Sequence, residues 1–134
     1  MTIHAFKDDV SYPAVYVLMP NRRLLTYKTV FRRLRQAAED QSLVLSPAHV
    51  MMDFELAEIN AFRAIFPEAD VTGCYFHHVQ AVVKALRKRN LARAYKHDAD
   101  VNSIVKLCTC LAFLPPEDIE PTFLLLKRRA PEVL

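Results

Sequence analysis

The chain has 134 residues, 52% of them hydrophobic and 25% charged, with a formal net charge of +3. That length predicts one domain, and the apolar fraction is enough for a packed core and too high for a disordered tail. No apolar run approaches the roughly 20 residues of a membrane span, and the acid-bearing N-terminal stretch does not read as a secretory signal. Gly73, the single glycine, cannot by itself build a dinucleotide loop, a P-loop or a nucleophile elbow.

In chain order, residues 1–11 read as an N-terminal segment without a predicted element. Residues 12–19 are a β-branched and aromatic run, with Pro13 near the start and Pro20-Asn21 at the end, and predict a strand. Thr26 is the expected cap of a first helix whose apolar stripe is Tyr27, Val30, Phe31, Leu34 and Ala38. Asp40-Gln41-Ser42 ends that helix. Residues 48–53 predict a second strand. Residues 55–66 predict a second helix burying Ile59, Phe62, Ile65 and Phe66, stopped by Pro67. Residues 70–74 predict a third strand, and residues 77–90 a third helix with Val79, Val82, Val83 and Leu86 inward.

Alternating strands and helices predict an α/β fold with parallel pairing. The expected architecture is a short, mostly parallel sheet of about three strands flanked by helices, occupying residues 12–95. Residues 96–134 are expected to be helical. Val101, Ile104, Val105, Cys108, Leu111 and Ala112 mark one amphipathic helix there. Pro115-Pro116 starts another, in which Pro121 predicts a kink or a new start.

The three cysteines, Cys74, Cys108 and Cys110, are odd in number and irregular in spacing, which points to reduced thiols. Cys108 and Cys110 read as core packing, since free cysteine behaves as a small hydrophobe.

Asp53 is the first candidate for chemistry. It ends a predicted strand, and ligands bind beyond the carboxyl ends of strands in open α/β sheets. The plain alternative is a helix N-cap. Glu55 reads as a first-turn acid favoured by the helix dipole. Cys74 and His77 have the Cys-x-x-His spacing of half a zinc site, but no second pair is suitably spaced, so zinc is not expected. The third helix concentrates Lys84, Arg87, Lys88 and Arg89 with few acids nearby. This is either a solvated face or the footprint of a phosphate backbone.

The run Met51-Met52-Asp53-Phe54-Glu55-Leu56-Ala57, followed by Ala61, Phe66-Pro67, Gly73-Cys74-Tyr75-Phe76-His77 and Gln80, resembles the transposase domain of Mutator-like elements (MULE). Tyr12-Pro13-Ala14-Val15-Tyr16-Val17-Leu18 and Leu111-Ala112-Phe113-Leu114-Pro115 fit the same pattern, so the resemblance spans roughly residues 12 to 126. It implies part of an RNase H-like nuclease fold. It also implies Mg²⁺ or Mn²⁺ held by an Asp-Asp-Glu triad, DNA as partner, assembly as a homo-oligomer, and a nuclear rather than cytoplasmic location. On that resemblance Asp53 is the second acid of the triad, catalytic and metal-binding, and Cys74 and His77 form the family's motif near the catalytic centre. The first Asp and the final Glu have no match here: Asp8 and Asp9 lack the family's Asp-Gly-Thr-Phe context, and no Asn-Asn-x-x-Glu segment follows. The expectation is therefore a single partial domain over residues 1–134, inactive by itself. The alternatives are a non-catalytic DNA-binding or regulatory protein and an unproductive fragment.

Overall fold

A computed structural model describes residues 1–134. The chain divides into two compact units, Met1–Thr72 and Gly73–Leu134. Its class is mixed α/β, with six α-helices and two sheets of two strands each.

The first unit opens with a hairpin of β1 (Thr2–Lys7) and β2 (Val10–Tyr16), paired antiparallel from Thr2 opposite Tyr16 to Lys7 opposite Val10. The segment expected to be featureless is therefore a strand. Asp8 and Asp9 form the two-residue turn, both at positive φ. A two-residue hairpin turn whose twist matches its strands needs that left-handed geometry, which Asp tolerates better than most residues. β2 starts two residues earlier than predicted, which places Pro13 inside it. A register shift between Ile3 and His4, opposite Pro13, accommodates the residue that cannot donate to the ladder.

Helix α1 spans Leu24–Glu39, so Thr26 lies inside its first turn. Arg23 takes the capping position with no side-chain bond to the helix amides, while the Asn21 Oδ1 accepts from the Arg23 amide at 3.1 Å and from the Thr26 hydroxyl at 2.7 Å just ahead of the helix. The helix closes at Asp40, and Ser42 takes a positive φ in the following turn.

Strand β3 (His49–Met52), helix α2 (Leu56–Ile65) and strand β4 (Asp70–Gly73) form a β-α-β unit, with β3 and β4 pairing in parallel. The Asp70 amide donates to the Ala48 carbonyl at 2.8 Å. A three-stranded sheet does not form. β2 spends its hydrogen bonds on β1, and the β3–β4 sheet contains no third strand.

The core of this unit is aromatic. Tyr27, Phe31, Met52, Ala61, Phe62, Ile65 and Phe66 are all buried. Phe31 meets Phe62 edge to face at 5.2 Å, and Phe62 lies 4.9 Å from Phe66. Such pairs add to area burial when rings are offset or edge-on. The predicted stripes of α1 and α2 point here. Ala61, fully buried, was absent from them; its small side chain lets the helix approach closely.

The second unit is helical: α3 (Tyr75–Lys88), α4 (Ala92–His97), α5 (Ala99–Cys110), a single 3₁₀ turn (Leu111–Phe113) and α6 (Pro116–Arg129). Asn90, at positive φ, turns the chain between α3 and α4. Asp98 caps α5 by accepting from the amides of Asp100 and Val101 at 2.9 and 3.1 Å. Leu86, Val101 and Val105 form the buried core, with Val82, Leu91, Ala94 and Tyr95 packed around them.

Three expectations in this unit are corrected. Leu111 and Ala112 leave α5 for the 3₁₀ turn. Pro121 neither breaks nor restarts α6. It lies five residues after Pro116, where the missing N–H removes one intrahelical bond near the start. Cys110 is exposed rather than core, while half-buried Cys108 keeps a packing role. Burial pushes the Cys108 thiol up from its ordinary value. No helix is long and apolar enough to cross a membrane.

Candidate functional site

Asp53 follows β3 directly and precedes α2 by three residues. It does not cap that helix, because the capping position belongs to Glu55. Buried Met52 anchors the strand end, and exposed Asp53 opens onto a cleft of about 300 Å³ in the first unit. Glu55, Glu58, Tyr27 and Arg22 share that cleft.

Glu55 makes no side-chain bond to the helix amides. Its carboxylate instead accepts from the Tyr27 hydroxyl at 3.0 Å and lies 3.6 Å from the Arg22 guanidinium. The buried Tyr27 phenol is pushed up to about 12, chiefly by burial and then by that bond to Glu55. Glu58 sits half-buried in the first turn of α2. Burial raises its carboxyl above the ordinary range, and the charges of Glu55 and Asp53 push it further. Three carboxylates therefore share the cleft with two cations, the Met1 ammonium and the Arg22 guanidinium, which partly offset the rise at Glu58. Such a cleft favours a proton or a cation over additional negative charge.

The sequence does not mark Glu58, Tyr27 or Arg22 as site residues; Tyr27 reads there only as part of the apolar stripe of α1. The signal for Glu58 was its i+3 spacing from Glu55, which puts both acids over the start of α2. Tyr27 and Arg22 carried no signal, since nothing in the linear chain ties α1 to residue 55.

In the second unit, Cys74 occupies the position before α3 with an extended backbone, half-buried and without a capping bond from its side chain. His77 is in the first turn, half-buried, its ring edge-on to Phe76 at 5.6 Å. The adjoining His78 lies 6.3 Å from Tyr75, whose ring packs on Phe113 at 4.6 Å. The Tyr75 hydroxyl donates to buried Thr109 at 3.5 Å. These contacts fix the start of α3 against the 3₁₀ turn and the end of α5.

Lys84, Arg87, Lys88 and Arg89 are all exposed, and none forms a salt bridge. No Asp or Glu occurs from residue 71 to residue 97. Arg87 and Lys88 lie in the last turn of α3, where cations also offset the helix dipole.

The family model of the MULE transposase domain matches residues 4–81, more than half of the chain. The chain belongs to that family. No curated protein and no solved structure matches it. The MULE match starts within β1, earlier than the resemblance read from the sequence, and includes Asp53, Cys74 and His77. It ends before Lys84, so the basic end of α3 lies outside the matched MULE segment. The hairpin omitted from the sequence reading is thus part of the MULE domain. A transposase-related function follows from this membership.

Proposed function

We propose that the chain is the central part of an RNase H-like MULE transposase domain, acting on DNA in the nucleus. In this reading Asp53 is a metal-binding acid of the catalytic centre. The observation that carries it is the placement of Asp53: past the end of a parallel strand, before the capping position of α2, and open to a cleft of carboxylates. Cys74 follows the neighbouring parallel strand β4 in sequence, and with His77 it is assigned to the surroundings of the catalytic centre.

The donor chemistry in the first unit fits a hard divalent cation. Mg²⁺ and Mn²⁺ prefer oxygen ligands; the Glu58 carboxyl is raised first by burial and then by the charges of Glu55 and Asp53, and a cation would offset the latter. Asp53 would hold the ion, with Glu58 beside it in the cleft. A bound metal supplies charge stabilisation at phosphorus during phosphodiester cleavage and strand transfer. The chain's own contribution is to hold carboxylate oxygens at a strand end: Tyr27 and Arg22 fix Glu55, and buried Met52 anchors the approach to Asp53. The family's first Asp and last Glu have no counterpart identified in this sequence, so the chain by itself is expected not to cut DNA. Zinc is not part of this reading.

The exposed cations of α3 support duplex binding through phosphates by Lys84, Arg87, Lys88 and Arg89. That surface also favours a second reading, a non-catalytic DNA-binding or regulatory protein derived from a transposable element. The two readings separate on metal. In the first, Mn²⁺ broadens NMR signals around Asp53 and the effect is lost in Asp53→Asn; in the second, both proteins behave alike. Duplex affinity should fall steeply with salt in either case. Charge reversal at Arg87, Lys88 and Arg89 that left affinity unchanged would remove the DNA surface. Nicking with Mg²⁺ or Mn²⁺ that vanishes in Asp53→Asn would overturn the view that the chain alone is inactive.

A further inference from the structure

A second cleft, of about 390 Å³, lies wholly within the helical unit, among α3, α4 and α5. Val83, Leu86 and Tyr95 give it apolar walls, Leu86 buried and the other two half-buried. Arg87 and Lys96 also line it; both are exposed and neither is in a salt bridge. No acid lines it. The Asn102 amide donates to the Tyr95 carbonyl at 3.0 Å and ties the α4 wall to α5. The cleft is thus apolar within and positive at its exposed positions, which calls for an occupant of the opposite pattern.

The first half of α6 has that pattern. Glu117, Asp118 and Glu120 are exposed and form no salt bridge. Among them stand Ile119, 38% exposed, and Phe123, 47% exposed. Residues four apart share a helix face, so Ile119 and Phe123 present one apolar strip edged by carboxylates. No α6 residue lines the cleft of its own chain.

We propose that the first half of α6 from a second copy of this chain docks in the α3–α4–α5 cleft, apolar strip inward, with its carboxylates against Arg87 and Lys96. The two surfaces are different, so the contact is head to tail and each chain gives one helix and receives another. Such contacts close into rings or continue as open chains. The inference does not depend on DNA binding or on the catalytic reading.

Sedimentation without DNA tests it. The wild-type chain should show a weight-average mass that rises with protein concentration and falls with added salt. Lys96→Glu and Glu120→Lys, each at an exposed position, should weaken self-association at least about tenfold, because like charges would then face each other. An equimolar mixture of the two variants should recover it, since the intact α6 of one meets the intact cleft of the other. Recovery on mixing cannot come from variants that have lost their fold, and thermal unfolding of each variant checks that point directly. Should either unfold early, the milder pair Lys96→Gln and Glu120→Gln gives the same complementation with smaller losses. A wild-type chain that is monomeric throughout its soluble range overturns the proposal. Variants that associate like wild type, or folded variants whose mixture associates no better than each alone, do so equally.

Discussion

The two units use opposite charge and unequal cores. Met1–Thr72 contains eight Lys and Arg against nine Asp and Glu; Gly73–Leu134 contains ten against six. The first unit therefore carries a net charge of −1 and the second +4. The modest overall charge conceals this division. The first unit buries seven residues in one cluster, four of them aromatic, and the second buries three aliphatic ones. A unit that gathers three carboxylates around one cleft has electrostatic repulsion to offset, and its aromatic core is the larger. The basic unit spreads its cations over exposed helix faces, where water screens them, and holds together with less.

This comparison breaks most directly at the two cores. Phe62→Ala deletes a ring that contacts both Phe31 and Phe66, and should cost about 3–5 kcal/mol. Leu86→Ala in the smaller cluster should cost about 2–3 kcal/mol, the lower end of the range for aliphatic truncation. Urea unfolding with amide exchange read separately in each unit checks both values. Equal costs would show that the difference in core size has no energetic meaning.

Single polar anchors sharpen the comparison at smaller scale. Tyr27→Phe removes the hydroxyl that donates to Glu55 and should cost about 1.5–3 kcal/mol, the range for a hydrogen bond to a charged group. Asp98→Ala removes the cap of α5 and should cost about 1 kcal/mol. Asp98→Asn or Asp98→Ser should recover most of that loss, as both side chains still accept from the helix amides.

Much of this architecture was legible in the sequence, and its gaps have physical reasons. The stripes Tyr27–Phe31 and Phe62–Ile65 follow from helical spacing, and the starts of α2 and β4 fall within a residue or so of expectation. The hairpin is hard to read because β1 is almost wholly exposed and its polar–apolar alternation, Thr2 to Ala5, covers only four residues before Phe6 breaks it. Its one local sign was the Asp8-Asp9 pair, able to adopt positive φ. Parallel pairing of a third strand was expected because strand partners are non-local, and linear order does not reveal that β2 is already paired. At the cleft, Asp53 was readable as a strand-end acid. The Tyr27–Glu55 bond joins residues 28 apart and depends on the packing of α1 against α2.

The smallest effect is electrostatic and concerns Glu58. Its carboxyl is raised in the folded protein, first by burial and then by Glu55 and Asp53. The native state therefore holds that proton more tightly than the unfolded chain. Stability from this group is present below the unfolded value of 4.5 and is lost as pH rises through the folded one. Glu58→Gln abolishes the titration, so the variant should gain on wild type as pH rises from 4 towards neutrality. Denaturation midpoints across that range measure the gain. Mg²⁺ gives the second arm. An ion in the cleft favours the ionised carboxylates, so it should raise wild-type stability near neutral pH and raise it less in Asp53→Asn. A Glu58→Gln profile parallel to wild type would mean that neither burial nor the neighbouring acids raise the Glu58 carboxyl, and the electrostatic contrast between the two units would then rest on the basic helices alone.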